Sequence, residues 1–271
     1  KLNYKIELNL VTDIFDEPVS TNLKILDIKI NYKDPFNVPK DHSSRFILKS
    51  LNLAHKLGLN RNVAGIINCP INKNLLLKKN IGVTEFLASK CLVKKDSDVM
   101  IIKNKKLMVS PLTTHLDIKS ISKKISQRLI VNKVKIINSW YKKIFKRKPK
   151  IGILGLNPHN AELRKNSEEK KIIIPAITKL KRLGFLVTGP MVADTLFIEE
   201  YKKFDVIIGM FHDQVLAPFK TLFKFQAINI TLGLNYLRVS PDHGVAKNLI
   251  LKKKANAESL TRCIDFMDKF K

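Results

Sequence analysis

Four of the six histidines follow short apolar runs that read as β-strands. His115 comes after Leu107–Val109, His159 after Ile151–Leu156, His212 after Val206–Met210 and His243 after Tyr236–Val239. In open α/β sheets ligands bind beyond the carboxyl ends of strands, and four imidazoles on one such edge are hard to attribute to packing. Imidazole suits Zn, Co and related ions, and three protein ligands with an open position make a catalytic centre. Ligands this far apart in sequence have no fixed spacing to test, so a metal site and ordinary packing both stay open. His42, at a helix entrance, and His55, on a helix, read as surface or packing residues.

Anion-binding groups accompany the histidines. Lys220 lies in the segment after His212, Asn229 on a strand and Arg238 on the next. A guanidinium offers a planar fork that matches phosphate. Thr84 opens a helix whose free N–H groups would suit a phosphate. Taken singly, each is as readily a surface or structural polar residue. No Gly-x-Gly-x-x-Gly follows a strand and no Gly-Lys-Ser/Thr loop occurs, so neither an ordinary Rossmann cofactor site nor a P-loop is indicated.

The elements that must position these residues alternate between strand and helix, which argues an α/β fold. Expected strands are Val63–Asn68, Asp98–Ile102, Leu107–Val109, Ile151–Leu156, Phe185–Val187, Val206–Met210, Ala227–Leu232 and Tyr236–Val239. Expected helices are Ser43–Leu57, Thr84–Cys91, Ser167–Leu183, Asp194–Lys203 and a last one from about Ala257. One more runs from Asp117, its cap, with Ile118, Ile121, Ile125 and Leu129 at helical spacing. No internal repeat appears, and 1–271 reads as one enzyme unit of two lobes.

Composition narrows the function. Hydrophobic residues are 45% of the 271, enough for a sizeable core. No apolar run reaches the length of a membrane span. The first ten residues hold no signal-peptide core. A net charge of +27 raises nucleic-acid or anionic-membrane binding. The basic residues are scattered in short clusters, however: Lys78-Lys79, Lys94-Lys95, Lys105-Lys106, Lys146-Arg147-Lys148 and Lys252-Lys253-Lys254. With aromatics at 7% and not interleaved with them, no stacking platform forms. A solvated Lys-rich surface is the expectation, with no specific nucleic acid and no membrane as partner. Cys69, Cys91 and Cys263 are odd in number and far apart; buried, inert thiols in a reducing cytoplasm fit best.

Several ordered blocks resemble one family. They are Pro70-Ile-Asn-Lys73, Gly82-Val-Thr-Glu-Phe-Leu87, Thr113-Thr-His-Leu116 and Gly155-Leu-Asn-Pro-His-Asn-Ala-Glu162 with Glu168-Glu169. Gly189-Pro-Met-Val-Ala-Asp-Thr-Leu-Phe197, Met210-Phe-His-Asp-Gln214, Asn229-Ile-Thr-Leu-Gly-Leu234, Arg238 and Asp242-His-Gly-Val-Ala246 follow in order. From Val63 to the C-terminus the chain is similar to the 4-hydroxythreonine-4-phosphate dehydrogenase family of vitamin B6 synthesis. The resemblance implies a two-lobed α/β/α fold like the isocitrate and isopropylmalate dehydrogenases, with the active site in the interlobe cleft. It implies a cytoplasmic homodimer whose active sites lie at the subunit interface. His115, His159 and His212 match the family's divalent-metal ligands (Zn, Mg or Co). Thr84, Lys220, Asn229 and Arg238 match its substrate-binding positions. Asp242, His243, Gly244 and Ala246, with Gly233 and Leu234, are the expected NAD or NADP residues.

The chain departs from the family pattern at four places. Val83 stands where His is usual, and Val215 where Gly is usual. Leu-Arg-Lys-Asn replaces the glycines expected after Glu162. The N-terminal Gly-Asp-Pro-x-Gly-Ile-Gly segment is not found, so a βα unit is expected to be missing or to lie upstream of Lys1.

The implied reaction is metal-assisted oxidation of the 3-hydroxyl of 4-phosphohydroxy-L-threonine, hydride passing to nicotinamide, followed by decarboxylation. Asp194 or Asp213 is the expected base or orienting carboxylate. Two alternatives stay open. One is the same chemistry on threonate or erythronate 4-phosphate, which Val83 keeps alive. The other is a catalytically inactive metal- or anion-binding homologue.

Overall fold

A computed structural model describes residues 6–15, 22–76, 82–93, 97–250, 252 and 254–270. Lys78-Lys79, Lys94-Lys95 and Lys253 of the basic clusters lie outside the described residues. Strands β1 (Leu8–Val11) and β2 (Leu23–Leu26) form a separate parallel pair. The remaining strands are β3 (Ile66–Ile67), β4 (Val99–Lys103), β5 (Met108–Pro111), β6 (Ile151–Leu154), β7 (Val187–Met191), β8 (Val206–Gly209), β9 (Ile228–Leu232) and β10 (Arg238–Pro241). They build one eight-stranded sheet in the order β3-β10-β9-β4-β5-β8-β6-β7.

Helices α1 (Lys40–Gly58), α2 (Val83–Lys90), α3 (Ile118–Lys124) and α4 (Gln127–Phe145) belong to the first half of the chain. Helices α5 (Ile174–Arg182), α6 (Ala193–Leu196), α7 (His212–Phe223) and α8 (Glu258–Met267) belong to the second. The buried side chains Ile130, Val134, Ile137 and Tyr141 of α4 recur every three or four residues, the stripe a helix needs to cover a sheet. They join Ile173, Ile177 and Leu180 and the α8 residues Cys263 and Phe266 in the larger core. Leu196, Leu216 and Phe219 of α6 and α7 fill a second core with Ile102, Val109 and Ile207. Full burial of each such side chain stabilises by about 1.5–3 kcal/mol.

Strands β5, β8, β6 and β7 are mutually parallel. β6 and β8 are buried along their whole length, which is why both read as unbroken apolar runs. β4 is antiparallel to both β5 and β9, and β10 is antiparallel to β9. β10 therefore runs opposite to β5. This corrects the expectation that all four histidines share one sheet edge. His115, His159 and His212 follow parallel strands, but His243 leaves a strand pointing the other way.

Other expectations need adjustment. The helix from Asp117 is two helices. It breaks at Ile125 (ψ 143°), and Ser126 caps α4 by accepting from the Leu129 N–H at 3.2 Å. The apolar spacing runs through the break because both helices cover the same core. Asp117 occupies the α3 cap position without a side-chain cap bond. Helix α2 opens at Gly82–Val83, with Thr84 in its first turn. The Asp194–Lys203 helix is only the single turn α6 followed by a 3-10 turn, Glu200–Lys203. Cys69 is exposed rather than buried, because the chain turns away from the sheet after β3.

The loop after β6 has an unusual backbone. His159, Asn160, Ala161, Glu162 and Leu163 all have φ between 45° and 57°, one turn of left-handed helix. Such a conformation costs roughly 1–2 kcal/mol per residue. Glu169, fully buried, holds its entrance by accepting from the N–H groups of Leu156 and Asn157, each at 2.8 Å. Asn160 donates to the Pro190 carbonyl at 3.0 Å. Gln214 of α7 accepts from Met210 N–H and donates to the Gly155 carbonyl, both at 2.7 Å, tying the ends of β8 and β6 together.

Burial alone would raise the Glu169 carboxyl, but these N–H donors outweigh it and hold it below the usual value. Its stabilisation is present above the unfolded value of about 4.3 and is lost as pH falls through the lower folded value. Glu169→Gln should cost about 1–3 kcal/mol at neutral pH, because one acceptor becomes a donor facing donors. Urea denaturation should show the gap to wild type narrowing on acidification below about pH 4.

Candidate active site

One face of β4, β9 and β10 floors a cavity of about 300 Å³, with Met100, Asn229, Arg238 and Ser240 beneath it. The register explains the floor: Asn229 pairs with Ser240 and Thr231 with Arg238, so all four side chains leave the sheet on one side. Val83, Thr84 and Glu85 of α2, His115 after β5, Lys220 of α7 and Asp242, His243 and Gly244 after β10 form the walls. All four expected substrate residues are thus in one place.

Arg238 is 4% exposed. Its Nε donates to Asn68 Oδ1 at 2.7 Å; Nη1 donates to Thr231 Oγ1 at 2.9 Å and Thr84 Oγ1 at 3.4 Å. No carboxylate pairs with it among the described residues. Burial pulls its ionisation down to about 10, against the opposing pull of Glu85. It therefore remains a cation at neutral pH, buried and lacking a counter-charge in contact, a situation an anionic ligand relieves. Asn229 Oδ1 and Asp242 Oδ2 are buried without a hydrogen-bond partner among the described residues. The other Asp242 oxygen lies 3.3 Å from Lys220 Nζ. Burial raises the Asp242 carboxyl, with Lys220 opposing. The N–H of Asp242 donates to Ser259 Oγ at 3.0 Å, which fixes the loop to α8.

His115 and His212 come together, with ring centroids 6.0 Å apart. Each has a carboxylate at Nδ1: Glu85 at 3.7 Å from His115, and Asp213 at 2.6 Å from His212. The His115 contact holds the Glu85 carboxyl below its usual range. This arrangement leaves the Nε2 atoms available to ligate, with the carboxylate behind each ring as metal-binding histidines commonly have. With Zn–N bonds of about 2.0–2.1 Å, two imidazoles sharing an ion place their centroids about 5–6 Å apart, so the pair fits such a role. His159 stands apart, exposed, with Nε2 3.9 Å from Asp194 Oδ2. Among the described residues of one chain, no three or more His, Cys, Asp or Glu side chains form a group able to hold a metal.

The expected cofactor residues divide. Asp242, His243 and Gly244 border the substrate cavity, and Gly244 faces open space. Ala246 follows in a left-handed conformation. Gly233 and Leu234 lie at the other end of the β9–β10 hairpin, against a different cavity. Gly233 has a packing reason of its own: at φ +91°, an added Cβ would meet Ser97 O at 2.3 Å. Glu85 and Asn68 escaped the sequence reading. Each adjoins a legible feature, Thr84 and the end of strand Val63–Asn68, but neither residue type at its place signals a role.

Residues 3–267 match the family described as "Pyridoxal phosphate biosynthetic protein PdxA". A 4-hydroxythreonine-4-phosphate dehydrogenase of Aquifex aeolicus is 36% identical over 99% of this chain and 84% of its own length. The 4-hydroxythreonine-4-phosphate dehydrogenase of Klebsiella pneumoniae, a solved structure, superposes with a TM-score of 0.82 at 27% identity, covering 98% of this chain and 84% of that one. Isocitrate dehydrogenase from Methylococcus capsulatus shares the fold alone, with a TM-score of 0.50 at 10% identity over 75% of this chain and 67% of that one. The expected fold class therefore holds, and with the buried arginine, the imidazole pair and the ordered motifs on one framework, this chain belongs to the PdxA family of pyridoxal phosphate biosynthetic proteins and is an oxidoreductase.

Proposed function

We propose that the chain oxidises 4-phosphohydroxy-L-threonine at carbon 3, using NAD or NADP and a divalent ion. The product, 2-amino-3-oxo-4-phosphooxybutanoate, then loses CO₂ to give 3-amino-2-oxopropyl phosphate. The observation that carries this reading is Arg238: a buried cation with no carboxylate in contact among the described residues, sharing one cavity with Lys220, Asn229, Thr84 and His115.

In this reading Arg238, Lys220 and the Thr84 turn bind the phosphate and so fix the reacting carbon. Asn229 aligns the substrate. His115, His159 and His212 would hold the ion, and a homodimer completes the set that one chain leaves open. The ion supplies Lewis acidity, lowering the pKa of the substrate hydroxyl and polarising the carbonyl formed from it. Asp213 orients His212, and Asp194, beside His159, is the nominated base. Asp242, His243, Gly244 and Ala246 receive the cofactor. The two ends of the sheet correspond to two lobes, and the enzyme works in the cytoplasm. No helix among the described residues is long and apolar enough to cross a membrane. Val83, in the cavity wall, favours a second reading, the same chemistry on threonate or erythronate 4-phosphate. Comparing kcat/KM for the three substrates separates them.

Arg238→Lys keeps the charge but loses the fork. Steady-state kinetics should show kcat/KM falling roughly 10- to 100-fold, the loss of one charge-assisted bond of about 1.5–3 kcal/mol. An unchanged value would remove Arg238 from the phosphate site. Elemental analysis should find a divalent ion in the purified protein. His115→Ala, His159→Ala and His212→Ala should each lose the metal and the activity together. Retention of the full metal content by any of the three would exclude that residue as a ligand.

A further inference from the structure

A second cavity, of about 350 Å³, lies behind the substrate site and is bordered by Lys103, Lys105, Ile228, Arg262, Phe266 and Lys269. The register places it. Asn229, which floors the substrate cavity, pairs with Ile102; the next pair along is Ile228 with Lys103. Alternation then sends Lys103 and Ile228 to the opposite face, beneath α8. Lys103 ends β4 with its stem in the protein, its Nζ donating to the Asn104 carbonyl at 2.6 Å and lying 5.9 Å from the Phe266 ring centre. Its charged neighbours are mostly of its own sign. Arg262 is half-engaged with Glu258 at 2.6 Å, Lys269 and Lys105 are further cations, and among the described residues Asp265 is the one acidic residue bordering the cavity. A cavity of this size with several cations and one partly buried amine is suited to an anion that also carries an electrophile.

We propose that this cavity binds a phosphorylated aldehyde, whose phosphate sits among Arg262, Lys269 and Lys105 while its carbonyl carbon condenses with the Lys103 amine. The step balances without an oxidant or reductant. The neutral amine's lone pair forms the C–N bond, the carbonyl oxygen leaves as water after taking up two protons from the nitrogen, and an imine results. Burial first, then the charges of Lys269 and Arg262, lower the Lys103 ammonium to about 8. A substantial fraction of neutral nucleophile is therefore present near neutral pH, which an ordinary exposed lysine lacks. The site lies on the reverse of the sheet from Arg238, so its occupant would not compete for the substrate cavity.

Pyridoxal phosphate is the probe, an aromatic aldehyde bearing one phosphate. The protein is incubated with up to one equivalent, reduced with borohydride, digested and mapped by mass spectrometry. Lys103 should be labelled ahead of the surface lysines, and Lys103→Arg should lose that label while the slow background on other lysines remains. Arg262→Met and Lys269→Met should each slow Lys103 labelling about tenfold, the loss of one charge-assisted contact. Pyridoxal without its phosphate should label Lys103 much more slowly. Labelling spread evenly over surface lysines in the wild type would overturn the proposal, and this result needs no variant to fold. Equal Lys103 labelling by pyridoxal and pyridoxal phosphate would overturn the phosphate subsite.

Discussion

A guanidinium taken out of water without a carboxylate beside it is costly unless its donors are met and its charge is answered. At Arg238, Nε donates to Asn68 and Nη1 to Thr231 and Thr84, which come from three different elements. Those bonds fix the end of β3, the β9–β10 register and the first turn of α2 relative to one another. The charge is left for a ligand. Thr84 is therefore both an anchor of the arginine and part of the cavity wall, and Asn229 and Ser240 face the same space because they are paired two residues along from Thr231 and Arg238. The proposed phosphate pocket follows from where that one cation is buried.

The histidines depend on a different constraint. The loops carrying His159 and His212 leave adjacent parallel strands, and Gln214 and Glu169 tie the ends of those strands and loops to each other. A left-handed turn of five residues without glycine persists only where its surroundings over-determine it, and such conformations cluster at functional sites. Glu169 at its entrance and Asn160 bonded to Pro190 provide that determination. Gly155 makes room for it, since an added Cβ would meet Asn160 Oδ1 at 2.0 Å.

Much of this was legible in the sequence, for identifiable reasons. Strands β6 and β8 are buried on both faces, so their apolar runs are unambiguous. The polar residues at their ends stand out against those runs. Thr84, Lys220, Asn229 and Arg238 were recognisable together through the ordered motifs, and the structure gathers all four. What escaped depends on pairing partners far away in sequence. The direction of β10 is set by its antiparallel bonding to β9, which no local pattern records, so nothing near His243 in sequence separates it from the other three. The break at Ser126 is hidden because α3 and α4 share a core. Glu85 and Asn68 act only through His115 and Arg238, neighbours that the fold supplies. Gly233 carries a steric demand against Ser97 that one dimension does not show.

The proposed activity requires a buried cationic pocket to grip the phosphate of a substrate whose hydroxyl is oxidised nearby. The most direct measurement is reduced nicotinamide formation by the purified protein with a divalent ion, comparing 4-phosphohydroxythreonine with 4-hydroxythreonine. The phosphorylated substrate should turn over in a way that chelation abolishes, with kcat/KM at least about 100-fold lower when the phosphate is removed, since several charge-assisted bonds are lost at once. Equal kcat/KM for the two substrates, or no turnover of either with NAD or NADP and any of Zn, Mg and Co, would contradict that activity.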